Sequence, residues 1–262
     1  MTPRPQPSTR PPASTVRVVA MVFAAGLVLV AAWYVFHRVE QFLIGDPRFA
    51  LDGPEGSPET PTLEVMGAQH ASRRKIENVF NQDAGRSVYL LPLSDRRASL
   101  RDVDWVKDAS IARLWPNRMI VSVSERKPVA FLTLGSSRFA LIDEDGVILP
   151  LAADRFTLPV LDGVRSGDQP AQRREQVHRM LRLTRALGSE LAARISEIDV
   201  SDRDNLKVTE PDDGHAITLL LGDHDFALRY QNFVRNYPDI KRRLPGAATL
   251  DLRLEDRITV VE

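Results

Sequence analysis

Residues 103–129 read Val-Asp-Trp-Val-Lys-Asp-Ala-Ser-Ile-Ala-Arg-Leu-Trp-Pro-Asn-Arg-Met-Ile-Val-Ser-Val-Ser-Glu-Arg-Lys-Pro-Val. The stretch predicts two strands and a tight turn. Val106, Ile111 and Leu114 lie among polar or small neighbours in the first strand. In the second, Met119, Val121 and Val123 alternate with Ile120, Ser122 and Ser124, the period of two of a half-buried strand. Trp115-Pro116-Asn117 supplies the turn: proline presets its own φ, and asparagine tolerates the left-handed region. Pro116 has no N–H to donate, so no central strand runs through it. Glu125-Arg126-Lys127-Pro128 closes the hairpin and opens a new segment.

Upstream, residues 1–17 are Pro-rich and polar, with Arg4, Arg10, Arg17 and no acid; so little apolar surface predicts disorder. Residues 18–36 are an unbroken apolar run, and roughly 19 residues at about 1.5 Å each just cross a hydrocarbon core of about 30 Å. Trp33 and Tyr34 lie at its far end, where aromatic rings prefer the interface. A signal-peptide core or a buried helix reads similarly. The run is longer than the usual signal core, lacks a small-x-small cleavage site after it, and carries no polar interruption, so a membrane anchor is expected. The arginines before the span put the N-terminus in the cytoplasm and the bulk outside, a single-pass type II arrangement. Residues 38–62, rich in Gly and Pro, read as a short helical continuation and then a spacer.

Leu63-Glu64-Val65-Met66-Gly67 is a strand stopped by glycine. Ser72 caps a helix running to about residue 81, with Ile76, Val79 and Phe80 on one face. Ser94 or Asp95 caps a second helix ending near residue 102. The order strand, helix, helix, strand, strand precedes a region of many short strands. There, residues 170–187 form a helix with Val177, Met180, Leu181, Thr184 and Leu187 in one stripe, ended by Gly188. Residues 195–200, 206–209, 216–221 and 225–228 are strand candidates. A second helix carries Tyr230, Phe233, Val234, Tyr237, Ile240 and Leu244, with cations in its last turn. Residues 248–254 and 258–261 are the last strands.

Asp104-Trp105-Val106, Arg113-Leu114-Trp115-Pro116 and Glu125-Arg126-Lys127-Pro128-Val129-Ala130, taken in order, resemble the end of the POTRA domain of the bacterial FtsQ/DivIB division family. Leu63–Gly67 resembles that domain's opening strand. Gly85-Arg86-Ser87-Val88-Tyr89 resembles a later step, with Ser87 where the family usually has Asn. Leu141-Ile142-Asp143-Glu144-Asp145-Gly146, Leu158-Pro159-Val160-Leu161-Asp162-Gly163 and Leu250-Asp251-Leu252-Arg253-Leu254 resemble motifs of its C-terminal β domain; Leu254 stands where Tyr or Phe is usual. The resemblance implies an α+β chain: a single transmembrane helix (18–37), a β-α-α-β-β POTRA domain (63–127) and a mainly antiparallel β domain with helices (128–262). It also implies a non-catalytic scaffold at the division septum, linked to septal peptidoglycan synthesis. Its partners would be FtsB/FtsL-type proteins, with other divisome proteins meeting the POTRA domain.

Composition excludes several chemistries. Lys plus Arg and Asp plus Glu are each 35, so the net charge is zero, which argues against nucleic-acid binding. With no cysteine there is no disulfide, thiolate metal site or cysteine nucleophile. No Gly-x-Ser-x-Gly elbow or phosphate-binding loop occurs. The nearest approach to a metal site is His215 with Asp223-His224-Asp225, which would make the chain a membrane-anchored extracytoplasmic metallohydrolase. Read plainly, Gly222-Asp223-His224-Asp225 is a hairpin turn. An anchored regulator would need a structured cytoplasmic segment, and residues 1–17 are too short and too Pro-rich. No catalytic residue, cofactor or metal is therefore expected. Arg73-Arg74-Lys75 and Arg96, Arg97, Arg101 are solvated helix faces, or contacts to acidic lipid or a partner.

The expected site is the C-terminal strand pair. If it ends the sheet, its unpaired backbone groups are a template for a partner strand. Leu250 and Leu252 face either the core or outwards, since period two alone does not say which. The outward residues are then Arg253, Leu254, Arg257, Ile258, Thr259 and Val260, and the resemblance places FtsB binding on these last strands.

Overall fold

The computed structural model describes residues 13–51, 62–135, 138–254 and 257–261. The expected N-terminal tail up to residue 12 and most of the spacer lie outside these. The chain divides into two compact units: residues 1–68, 72–102 and 108–123, and residues 69–71, 103–107 and 124–262.

The first unit opens with α1 (Ala13–Gly45), whose stretch Ala20–Gly45 is long and apolar enough to cross a membrane. Residues 46–51 are not spacer-like. Asp46 caps a 3-10 turn (Pro47–Phe49), and Phe49 and Leu51 are buried. Then come β1 (Leu63–Met66), α2 (Arg73–Asn78), α3 (Leu93–Arg101), β2 (Val106–Leu114) and β3 (Arg118–Glu125). This is the β-α-α-β-β order expected. The sheet runs β1-β3-β2, with β1 parallel to β3 and Val65 opposite Val121. The period-two residues Met119, Val121 and Val123 are buried, as are Val65, Ile76 and Leu100. Ser72 caps α2 as expected, accepting from the Lys75 N–H. Neither Ser94 nor Asp95 caps α3, which starts at Leu93 behind Pro92. Gly67 is required: its φ is +80°, and a Cβ there would meet the Val123 carbonyl oxygen at 2.3 Å.

The second unit is one nine-stranded sheet. Its strands are β4 (Pro128–Leu134), β5 (Arg138–Asp143), β6 (Ile148–Leu149), β7 (Val160–Asp162), β8 (Glu197–Asp199), β9 (Leu206–Asp212), β10 (His215–Gly222), β11 (Thr249–Asp251) and β12 (Thr259–Val260). They lie in the order β12-β11-β10-β9-β8-β7-β4-β5-β6. Two helices complete the unit, α4 (Pro170–Ala192) and α5 (Phe226–Arg243). α4 joins β7 to β8 and α5 joins β10 to β11, and both strand pairs are parallel, as helical crossovers demand. β4 is also parallel to β7; the other pairings are antiparallel.

Val177, Met180, Leu183 and Leu187 of α4 and Tyr230 and Phe233 of α5 share one core with Ile198, Val208, Leu219, Leu250 and Leu252. Gly188, expected as the helix stop, is a break inside α4 with φ 77°. Residues 225–228, expected as a strand, belong instead to α5 and its entry. Gly222 ends β10, Asp225 takes a left-handed φ of 52°, and the helix starts at Phe226. The segment 222–225 is thus a strand-to-helix junction and not a hairpin turn; the β9–β10 hairpin turns at Asp213-Gly214.

Candidate partner-binding edge

β11 lies between β10 and β12, and β12 is the end of the sheet. Thr218, Leu219 and Leu220 of β10 stand opposite Thr249, Leu250 and Asp251. On its other side β11 is antiparallel to β12, with Leu250 opposite Val260 and Asp251 opposite Thr259. The Val261 N–H donates to the Thr249 carbonyl at 3.0 Å. In an antiparallel pair, hydrogen-bonded and non-hydrogen-bonded positions alternate. Thr259 and Val261 therefore turn their backbone groups towards β11, and Val260 turns its N–H and C=O away from it, to the open edge.

The Leu face is settled by burial: Leu250 and Leu252 are in the core, whereas Leu254 is 52% exposed. β11 is shorter than the expected strand because the Asp251 carboxylate turns back on the chain. It accepts from the Arg253 backbone N–H at 3.0 Å and pairs with the Arg253 guanidinium at 2.6 Å. That guanidinium, against the cost of partial burial, holds the Asp251 pKa below the usual carboxylate range, and Asp251 raises that of Arg253. Among the expected site residues, Thr259 and Val260 form β12, and Arg253 and Leu254 lead away from β11. Ile258 is half-buried against the core, and Arg257 is exposed.

The sequence reading missed the wall opposite. α5 and the C-terminal arm enclose a cleft of about 390 Å³ whose α5 side carries Arg229, Asn232, Asn236 and Ile240 and whose other side includes Leu254 and Ile258. Arg229 is buried, donating to the Leu221 carbonyl at 2.6 Å and lying 3.0 Å from His224 Nε2. The available signal was the strong amphipathicity of α5: the stripe Tyr230, Phe233, Val234, Tyr237 was read, but its polar flank was not.

The histidines do not converge. His215 begins β10 and His224 lies beyond its end. The extended strand between them, residues 215–222, spans roughly 23 Å, so the two share no ion. His224 sits against Asp223 at 2.5 Å, and among the described residues no group of three or more metal-ligating side chains occurs. The basic runs are largely engaged within the fold. Arg97 and Arg101 both bind Asp108, Arg96 binds the buried Asp83 at 2.6 Å, and Arg73 donates to the Val65 carbonyl.

Two family models match this architecture, "POTRA domain, FtsQ-type" over residues 61–126 and "Cell division protein FtsQ/DivIB, C-terminal" over residues 130–253. The chain belongs to the FtsQ/DivIB family. The cell division protein FtsQ of Koribacter versatilis is 29% identical over 260 residues, covering 97% of this chain and 72% of that protein. The FtsQ of Novosphingobium aromaticivorans is 33% identical over 200 residues, covering 75% of this chain and 59% of that protein. The FtsQ/DivIB C-terminal match ends at residue 253, so it takes in β11 and stops short of β12.

Proposed function

We propose that this chain is a non-catalytic scaffold of the division site. α1 anchors it in the inner membrane with the N-terminus cytoplasmic, and its two folded units recruit partners outside. β12 would take an added strand from an FtsB/FtsL-type protein and so connect the divisome to septal peptidoglycan synthesis. The POTRA-type unit would meet other divisome proteins.

The observation that carries this reading is the sheet edge. Val260 turns its N–H and C=O away from β11 at the end of the sheet, and strand addition supplies main-chain hydrogen bonds for affinity and side-chain pockets for specificity. Family membership supports a divisome role. The metallohydrolase alternative finds no support in the separation of His215 from His224. The test is co-purification of the full chain with FtsB/FtsL-type partners from detergent-solubilised membranes. Recovery of those partners supports the scaffold; their absence, with the protein intact and folded, removes it. A reporter active only outside the cytoplasm, fused at Glu262, tests orientation. It should be active and membrane-bound, and a silent reporter inverts the topology.

A further inference from the structure

The end of α1 is built into the first unit. The Ser87 hydroxyl donates to the Leu43 carbonyl at 2.7 Å, and the Leu51 N–H donates to the Arg86 carbonyl at 2.9 Å. Phe49, buried, is the hub. Its ring lies 5.5 Å from Phe42 of α1, 5.8 Å from Tyr89 and 4.8 Å from Trp115 at the β2–β3 turn. The hairpin tip is therefore held beside the last turns of the anchor helix.

Much of this cluster is uncovered. Trp115 is 68% exposed and Phe42 49%, and Leu90, next in the chain to Tyr89, is 45% exposed. The Arg48 guanidinium lies 5.7 Å over the Phe42 ring, with its side chain 71% exposed and paired with Asp46 at 2.7 Å. Large apolar side chains grouped beside an arginine mark an interaction surface. Its height along α1 says which kind. Phe42 comes six residues after Phe36, where the apolar run ends, so it stands about 9 Å further along a straight helix. A headgroup layer is about 5–8 Å thick on each side of the hydrocarbon, and spans tilt by about 20° on average. The cluster is thus at the outer edge of the headgroup layer, the interfacial zone where Trp and Tyr rings concentrate.

We propose that Trp115, Phe42, Leu90 and Arg48 form a second, peripheral contact with the bilayer that α1 enters. The occupant is the lipid headgroup surface, because the exposed apolar face of α1 runs directly into the cluster. The contact would fix the tilt of the first unit on the membrane. It rests on α1 spanning the bilayer.

The chain has no cysteine, so one introduced thiol carries a unique label. The full chain with Asn117→Cys, labelled with the fluorophore NBD, is placed in nanodiscs containing lipids with a headgroup nitroxide. A second version with Leu29→Cys, in nanodiscs with an acyl-chain nitroxide, reports the span independently. The label at 117 is expected to lose most of its emission. Trp115→Ser with Leu90→Ser should restore it, with the Leu29 site still quenched and circular dichroism unchanged. Leu90→Ser alone, expected to restore part, serves if the double variant misfolds. Unquenched emission at 117 with a quenched Leu29 site overturns the proposal. So does quenching that survives the serine variants, which would reflect the tether alone, or shielding that requires an added partner protein. An unquenched Leu29 site removes the span, and the proposal with it.

Discussion

Arg126 Nη1 lies 2.6 Å from Asp143 Oδ2, joining the Glu-Arg-Lys-Pro segment that starts β4 to the Leu-Ile-Asp segment that ends β5. The carboxylate is almost fully buried, and its other oxygen accepts the N–H groups of Asp145 and Val147, which shapes the turn at Gly146. Removing one partner of a buried pair costs about 3–5 kcal/mol, and Asp145, 3.6 Å from the Arg126 guanidinium, would offset part of that. Asp143→Ala is therefore expected to lower unfolding stability by about 3 kcal/mol, read from urea denaturation. A loss under about 1 kcal/mol would mean that water replaces the pair.

A second buried junction is sensitive to pH. Glu125 accepts the backbone N–H groups of Gln69, His70 and Ala71, and its Oε2 lies 2.8 Å from His70 Nδ1. His70 Nε2 reaches Asp154 at 2.8 Å, and its ring stacks on Trp105 at 4.6 Å and near Phe156. The bond to Glu125, against partial burial, raises the His70 pKa above its ordinary 6.5. A raised folded pKa means that this stabilisation is full below 6.5 and is lost as pH rises through the folded value. Stability should therefore fall as pH rises above about 6.5, and His70→Phe, which keeps the stacking, should flatten that slope. An NMR titration of His70 at or below its ordinary pKa would contradict this.

What the sequence made legible was whatever had a period. The alternation in β3, the stripe on α4 and the strand-helix-helix-strand-strand order all reappear in space. Short or aperiodic pieces did not announce themselves. Phe49 and Leu51 sit in a Gly/Pro-rich stretch where two apolar residues make no pattern, yet both are buried. Asp225-Phe226-Ala227-Leu228 mimics a strand because α5 begins from a left-handed residue with no side-chain cap. At the candidate edge, composition located the last strands. The side on which Leu250 packs depended on its register with Leu219, a contact distant in sequence.

Glu197 on β8 interacts with Asp162 on the neighbouring β7. The contact with Asp162, together with desolvation, pushes the Glu197 pKa from 4.5 up to about 7. For a carboxyl raised in the fold, stability is complete below the ordinary value and is lost as pH climbs through the raised one. This group should weaken the second unit between about pH 4.5 and 7, with a plateau above. Glu197→Gln should remove that component and raise the melting temperature at pH 8 relative to the parent. An unchanged pH profile would show that the contact with Asp162 does not raise Glu197.

The last prediction separates the two sides of β12. Val260 points its N–H outwards, while Val261 bonds inwards to Thr249 and Thr259 shares its orientation. Proline removes one donor and is tolerated at sheet edges. Val260→Pro should therefore leave the β11–β12 pairing and the fold in place but abolish capture of an FtsB-type partner. Thr259→Pro strikes the inward rung and should loosen β12 itself, with a loss of amide protection at Thr249–Asp251. Ile258→Pro and deletion of 257–262 should also abolish capture, but both remove an Ile258 side chain that packs on the core, so they confound binding with stability. Pull-down reports binding, while circular dichroism and hydrogen exchange report the fold. Full capture by the Val260→Pro protein would rule out strand addition at this edge and move the search to the cleft between α5 and Leu254. Loss of capture with protection at Thr249–Asp251 unchanged would place the partner strand alongside Val260.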